Sequence, residues 1–158
     1  MYDITAQAVG YLGLIFGIMA YQSNTHKKIL LTKAASELFF GVQYVMLGAY
    51  AGMLTNLIGV IRNCTLSRSN IRGKRQIAVT VFFLFLLIGA CMFSWTGPVC
   101  LLAMLGKAFT TISYSIKNTR YLRYLTIPSC IVWLVYDFLV QSRAGVIYEI
   151  FGMLSIVV

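Results

Sequence analysis

One uncharged apolar run, VTVFFLFLLI at residues 79–88, decides the class of fold that this sequence can adopt. The run extends from residue 77 to residue 93, which is long enough for a membrane-spanning helix of roughly 17 to 25 residues. The rest of the chain has the same character, because 59% of its 158 residues are hydrophobic, 11% are charged and the mean hydropathy is +0.82. A soluble domain is about a quarter charged. The composition therefore predicts an integral membrane protein.

Six further apolar segments are comparable with this run in length. The first of them has no preceding basic residue and no following cleavage site, so we expect it to be retained as a helix rather than removed as a signal peptide. We predict seven transmembrane helices at residues 4–21, 29–47, 49–66, 77–93, 99–116, 121–140 and 144–158. These segments leave no stretch for an extramembrane domain, so helices and short loops must carry the function.

Positive charge is concentrated in alternate connections between these segments. The chain has 13 Lys and Arg residues against 4 Asp and Glu residues, a formal net charge of +9. Most of the bases fall on one side of the predicted bundle: Lys27, Lys28, Lys33, Arg62, Arg68, Arg72, Lys74, Arg75, Lys117, Arg120 and Arg123. Since cytoplasmic loops are rich in Lys and Arg, we predict the N-terminus outside and the C-terminus in the cytoplasm. Anionic lipid, rather than nucleic acid, is the expected partner of these loops.

The two ends of the chain resemble each other. A shift of 93 residues places the first three spans on the last three and matches nine identical residues. The pairs are Leu12/Leu105, Gly13/Gly106, Phe16/Phe109, Tyr21/Tyr114, Ser36/Ser129, Val42/Val135, Ala51/Ala144, Gly52/Gly145 and Gly59/Gly152. A single helix between two three-helix units leaves both units in the same orientation. We predict an all-α membrane protein with two parallel three-helix repeats joined by a linker helix (3+1+3): a first unit at residues 1–70, a basic loop and linker helix at 71–97, and a second unit at 98–158.

The third predicted span and its surroundings resemble a known family. Residues 47–63, LGAYAGMLTNLIGVIRN, resemble the YgjV family of bacterial inner-membrane proteins, and the likeness covers nearly the whole chain. More distantly, WLVY at 133–136 with Glu149, and FGVQ at 40–43 with Asn56, are similar to the paired half-units of the SWEET and SemiSWEET sugar carriers and the PnuC vitamin-precursor carriers. The resemblance implies a SWEET-like bundle in the bacterial inner membrane.

The same resemblance implies where a solute would bind. In those carriers an Asn on the third helix of each unit and an aromatic residue on the second helix line a central site. Asn56 stands at the polar position, and its mate in the other unit is Glu149. Trp133 stands at the aromatic position, and its mate is Phe40. A carboxylate at one of the two polar positions argues against a plain neutral sugar as the solute.

Charged side chains within the spans need a partner or a watery cavity, because each costs roughly 2.5 to 3.5 kcal/mol at the centre of a membrane helix. Lys107 falls in the middle of the fifth span. Glu149 and Glu37 both lie at depths that its long side chain can reach, so the sequence leaves two possible partners. Glu37 can also bond Lys33, one helical turn away.

Two further pairs lie near the predicted outer ends of the spans. Asp137 can reach water there or pair with Arg143. We interpret all four cysteines as thiols within the membrane. Cys91 and Cys100 flank a turn, so a disulfide between them is a minor alternative.

The sequence favours a transporter over other classes of membrane protein. We hypothesise that it moves a small polar metabolite by alternating access, with a central site between the two units. The candidate substrate-binding residues are Asn56, Glu149, Trp133, Phe40, Lys107, Tyr136 and Gln43.

No catalytic motif, metal-ligand spacing or phosphate-binding loop occurs in the sequence, so neither an enzyme nor a cofactor is expected. The alternative is a non-transporting membrane receptor or assembly factor, and either a monomer or a homodimer suits a chain that contains both units.

Overall fold

The computed structural model describes residues 4–68, 71, 73–95 and 97–157. Within these residues the chain forms seven α-helices and no strand, so the all-helical prediction is confirmed for this part of the chain. The helices are α1 (Ile4–Gln22), α2 (His26–Met46), α3 (Tyr50–Leu66), α4 (Lys74–Phe93), α5 (Val99–Tyr114), α6 (Thr119–Leu139) and α7 (Arg143–Val157). Each coincides with one predicted span to within a few residues. Arg72, counted above among the cytoplasmic bases, lies outside the described residues.

Three of the described helices are long and apolar enough to cross a membrane: α1, α4 and α6. Helix α4 has the most lipid-like surroundings of the three, because most of its side chains are not buried in the protein. The buried ones are Phe83, Leu87 and Cys91. Phe85 and Phe93 are largely exposed on the opposite side. A surface of large apolar side chains suits contact with lipid. Lipid offers no hydrogen bonds to the backbone, and a helix forms all of its backbone hydrogen bonds internally.

The helices pack in two sequential groups. Helix α2 lies between α1 and α3, and α6 lies between α5 and α7. Helix α1 also packs on α7, and α3 packs on α5, so the two groups meet along both sides of the bundle centre. Helix α4 packs on α3 and α5 and therefore sits at the periphery. Six helices thus enclose the centre of the molecule, and α4 covers one side of it.

Two helix-to-helix turns have the same backbone conformation. Between α2 and α3, Gly48 has φ of 71° and the amide of Ala49 donates to the carbonyl of Tyr44 at 2.8 Å. Between α6 and α7, Gln141 has φ of 62° and the amide of Ser142 donates to the carbonyl of Asp137 at 2.9 Å. A left-handed residue of this kind satisfies the last carbonyls of a helix and reverses the chain in few residues. Both turns therefore return the chain closely antiparallel to the helix it has just left.

Several acidic and basic side chains of the helices are buried inside this bundle. Glu37, Asp137 and Glu149 are all buried, and so are the bases Lys107 and Arg62. Charged residues within a membrane segment face the bundle interior and pair with one another, because lipid offers them no hydrogen bonds. The buried groups converge on the space between the two groups of helices.

Candidate functional site

A cavity of about 40 Å³ lies at the centre of the six-helix arrangement. A water molecule needs roughly 10 to 15 Å³ of such volume, so the cavity holds about three waters. Every helix except α4 contributes to its lining. The charged lining residues are Lys33, Glu37, Lys107, Asp137 and Glu149, and the aromatic ones are Tyr21, Phe40, Tyr44, Tyr114, Trp133 and Tyr148. The site is therefore small and polar, and six aromatic side chains contribute to its lining.

The structure brings five of the seven sequence-predicted site residues to this cavity: Asn56, Glu149, Trp133, Phe40 and Lys107. They come from α3, α7, α6, α2 and α5, so separate helices assemble them. Their convergence is a property of the tertiary structure, because no two of the five lie on the same helix.

The other two predicted residues lie outside the lining. Tyr136 packs edge-on against Trp133, with ring centroids 5.2 Å apart, and against Tyr44 at 5.6 Å. The side chain of Gln43 is fully buried, donates to Oε1 of Gln7 at 3.2 Å and accepts from Ser142 at 3.2 Å. Their polar atoms and rings are engaged within the protein. Tyr136 and Gln43 therefore pack behind the residues that line the cavity and do not line it themselves.

An ion-paired cluster forms one wall of the cavity. Oε1 of Glu37 accepts from Nη2 of Arg62 and from Nζ of Lys107, each at 3.1 Å. Lys107 also donates to Oδ1 of Asn56 at 3.0 Å. Of the two partners that the sequence left open for Lys107, the structure has Glu37. Both polar atoms of the Asn56 amide are engaged, since its Nδ2 donates to the carbonyl of Gly52 at 2.9 Å.

Arg62 is the member of this cluster that sequence reasoning misplaced. We counted it with the basic loop residues, but it is fully buried inside α3. Its guanidinium donates to Oγ1 of Thr111 at 2.8 Å and to Oδ1 of Asn63 at 2.9 Å, as well as to Glu37. The available signal was a three-residue spacing, because Gly59 follows Asn56 by three residues and Arg62 follows Gly59 by three, and residues three apart are neighbours on a helix surface. A guanidinium with five donors suits such a buried network better than a loop exposed to water.

Gly59 makes room for the cluster. A Cβ atom at this position would collide with the Glu37 carboxylate and come within 3.1 Å of Nζ of Lys107. The glycine therefore lets the ion pair lie directly against the backbone of α3, between Asn56 and Arg62.

Three residues that line the cavity carry a polar atom with no hydrogen-bond partner among the described residues. Oε2 of Glu37 and the hydroxyls of Tyr114 and Tyr148 are buried and unpaired in this way. Lys33 is also buried, and its ammonium lies over the rings of Tyr21 and Tyr148, 4.9 and 4.3 Å from their centroids. The expected bond between Lys33 and Glu37 is absent because Glu37 turns toward Arg62 and Lys107. Buried polar groups are rarely left without a partner, so this cluster indicates bound water or a bound solute.

Asp137 lies deeper than the sequence suggested. Only 1% of it is exposed, and its Oδ1 accepts from the Tyr44 hydroxyl at 2.5 Å. The expectation that it reaches water is therefore wrong, because α2 and the turn before α7 cover it. Glu149, by contrast, faces the cavity without an ion pair in the part of the chain that the structure describes.

The described residues contain no group of three or more His, Cys, Asp or Glu side chains placed to hold a metal ion. Charged residues gathered at the centre and large apolar residues on the outside define a helical integral membrane protein. The chain belongs to the Imp-YgjV family, described as bacterial inner membrane protein, whose family model matches residues 4–158. No curated protein and no solved structure matches the chain.

Proposed function

We propose that this protein is a small-metabolite carrier of the inner membrane, and not an enzyme, with its substrate site between two parallel three-helix units. The observation that carries the proposal is the central cavity with its unpaired polar groups. An ordinary helical bundle satisfies its interior polar atoms internally, whereas a carrier must keep some of them available for a solute. Residues at the centre of such a membrane bundle are where substrate sites of carriers lie.

Equivalent hydrogen bonds in the two groups of helices support the repeat. Ser36 on α2 donates to the carbonyl of Gly13 on α1 at 2.8 Å. Ser129 on α6 donates to the carbonyl of Gly106 on α5 at 2.7 Å. Each residue of the second pair lies 93 residues after its counterpart in the first. The left-handed turn residues Gly48 and Gln141 are separated by the same shift.

The contacts between the groups support a two-fold relation between them. Under the 93-residue shift, α1 corresponds to α5, and α3 corresponds to α7. The α1–α7 contact and the α3–α5 contact are therefore equivalent contacts between the two groups. Together with the peripheral position of α4, this pattern supports the proposed 3+1+3 arrangement and its SWEET-like character. It also supports an axis along the membrane normal, as in other carriers with parallel repeats.

The small size of the cavity supports a state of the alternating-access cycle in which the two units lie close together. Its volume of about 40 Å³ has room for only a few waters, so transport of a larger solute requires the two units to move apart. Pro128 lies inside α6 close to the lining residues Ser129 and Trp133. A proline inside a helix removes a backbone hydrogen bond and is a common point of bending. We propose that α6 bends there when the site opens.

The proposed orientation places the basic loops in the cytoplasm. Lys74 and Arg75 begin α4 and are exposed, so they are placed to contact anionic lipid headgroups on that side. Lys33 and Arg62 leave this set, because both are buried in the bundle. The remaining bases still favour one side, and the N-terminus is accordingly proposed outside and the C-terminus inside.

Flux measurements on reconstituted vesicles test the function. Vesicles containing the purified protein are loaded with a panel of labelled amino acids, organic acids, amines and polyols, and counterflow of each is recorded. We expect flux of at least one solute, reduced about tenfold or more by Glu149→Gln because a cavity-facing charge is lost. Ile61→Val, a conservative change of an exposed side chain on α3, serves as the control. Absence of flux together with a stoichiometric protein partner on purification would overturn the proposal and favour the receptor or assembly factor.

A further inference from the structure

The charged groups that remain available in the cavity define a class of solute. Building on the proposed carrier function, we propose that the site binds a small zwitterion, whose anionic group contacts the ammonium of Lys33 and whose cationic group contacts the carboxylate of Glu149. The two side chains come from α2 and α7, which belong to different three-helix units in the proposed arrangement. A solute held by both would therefore link the units across the site.

Lys33 lacks an acceptor. It is 7% exposed and lines the cavity, its ammonium lies over the faces of Tyr21 and Tyr148, and its main electrostatic attraction is to Glu149, with which it forms no ion pair within 4 Å. Aromatic faces attract a cation but accept none of its hydrogen bonds in the strong, directional way that a carboxylate does. A carboxylate in the cavity would give this ammonium an acceptor of that kind.

Glu149 is the acid of the cavity that has no close ion pair or hydroxyl donor among the described residues, although it interacts with the Cys130 thiol and is attracted to Lys33. Three carboxylates line the cavity, but Glu37 is held by Arg62 and Lys107, and Asp137 accepts from Tyr44 at 2.5 Å. Glu149 is 7% exposed and forms no ion pair within the described chain. An ammonium group in the cavity gives this carboxylate the partner that a buried charge needs.

The charge balance favours a solute with no net charge. Counted formally, with every group ionised, Lys33, Lys107 and the adjoining Arg62 carry three positive charges, which equal the three negative charges of Glu37, Asp137 and Glu149. A net-charged ion would leave this enclosed site with an uncompensated charge, which is costly away from water. A neutral polyol would occupy the cavity without offering either Lys33 or Glu149 a charged group. A zwitterion avoids both penalties.

The size of the cavity limits the zwitterion to very few heavy atoms. About 40 Å³ accommodates roughly three waters, so only the smallest amino acids replace the water without opening the bundle. Glycine is therefore the probe, and acetate and methylammonium are its matched half-molecules, each carrying one of its two charges.

Competition measurements on the full-length protein in lipid nanodiscs test this inference. Binding of labelled glycine is measured with unlabelled glycine, alanine, acetate, methylammonium and glycerol as competitors. We expect glycine to bind about tenfold or more tightly than either half-molecule, since each lost contact is a hydrogen bond to a charged group. We expect Glu149→Gln to weaken glycine binding about tenfold or more while leaving acetate binding unchanged. Lys33→Met should weaken glycine and acetate but spare methylammonium.

Controls and contrary outcomes separate this inference from the carrier function. Lys74→Met removes an exposed lysine and should change none of these affinities. Thermal unfolding of each variant shows whether it is folded, and Lys33→Gln replaces Lys33→Met where the latter is not. If glycine fails to bind while a polyol or a net-charged solute is transported, the zwitterion is wrong and the carrier stands. If Glu149→Gln weakens glycine and acetate equally, the selective roles assigned to the two charges are wrong. If no solute of any class binds or moves, the carrier itself is wrong.

Discussion

The Tyr44 hydroxyl donates a hydrogen bond to Oδ1 of Asp137 at 2.5 Å, and the two residues lie 93 positions apart in the chain. That separation equals the shift that aligns the first three helices with the last three. The bond therefore joins matching positions on α2 and α6, across the boundary between the two groups of helices. It is a direct polar link between them, independent of the Glu37 cluster.

Removing this link should destabilise the bundle. Tyr44→Phe leaves a buried carboxylate with one donor fewer, and we expect a loss of about 1 to 3 kcal/mol in the free energy of unfolding. Unfolding in mixed micelles, followed by circular dichroism, measures the change. Tyr50→Phe, at a residue that is 55% exposed, is the matched control and should have little effect. Equal stability of both variants would show that the bond contributes nothing net.

The buried ion pairs predict an order of stability among variants. Glu37 is the shared acceptor of two cations, so Glu37→Gln leaves both Arg62 and Lys107 without a counter-charge. Lys107→Met leaves Glu37 paired with Arg62 and should cost less. Since breaking a buried pair costs about 3 to 5 kcal/mol, the difference is measurable by the same unfolding assay. Lys74→Met is the surface control, and a reversed order would contradict the cluster as described.

Gly59 and Gly89 form a matched pair of helix glycines. At Gly59 a Cβ meets the Glu37 carboxylate, whereas at Gly89 nothing lies within 4 Å of the added atom. We expect Gly59→Ala to destabilise the protein by about 1 to 3 kcal/mol through overpacking. Gly89→Ala should leave stability unchanged or raise it, since alanine favours helix more than glycine. Destabilisation of the same size at both sites would argue against close packing at Gly59.

Cys91 and Cys100 should be selectively linked by mild oxidation. Sγ of Cys100 lies 2.9 Å from Sγ of Cys91, and both side chains are buried where α4 meets α5. Addition of an external disulfide to the purified protein should yield an intramolecular bond between them while the reagent is reduced to two thiols, and the joined peptides should be lighter by the mass of about two hydrogen atoms. The exposed Cys64 should instead form a mixed disulfide. Mixed disulfides at Cys91 and Cys100, with no internal link, would contradict the observed packing.

The proposed bend of α6 predicts a kinetic effect. Pro128→Ala restores a backbone donor inside the helix, which should raise its stability and slow exchange between the two faces of the membrane. Counterflow rate and solute affinity are measured together, and we expect a slower rate with affinity nearly unchanged. Pro98→Ala, at the residue before α5, is the control. An unchanged rate for Pro128→Ala would remove α6 bending from the mechanism.

The sequence predicted the helices and part of the site, but not which side chains in the site pair with each other. Hydropathy located all seven described helices because an apolar helix is marked by its local composition. The 93-residue shift matched Ser36 to Ser129, which make equivalent hydrogen bonds in the structure. It did not reveal Arg62, because an arginine near the end of an apolar segment has the same local pattern whether it faces a loop or a buried carboxylate.

The sequence by itself determined that the chain is an all-helical membrane protein with few internal charges. That conclusion depends on local apolarity, which each segment carries independently of its neighbours. Only the tertiary structure decided that Lys107 binds Glu37 and that Glu149 and Lys33 both line the cavity. Side-chain pairing depends on helix rotation and on competition among several partners within a few ångströms, and neither is set by the spacing of residues along the chain.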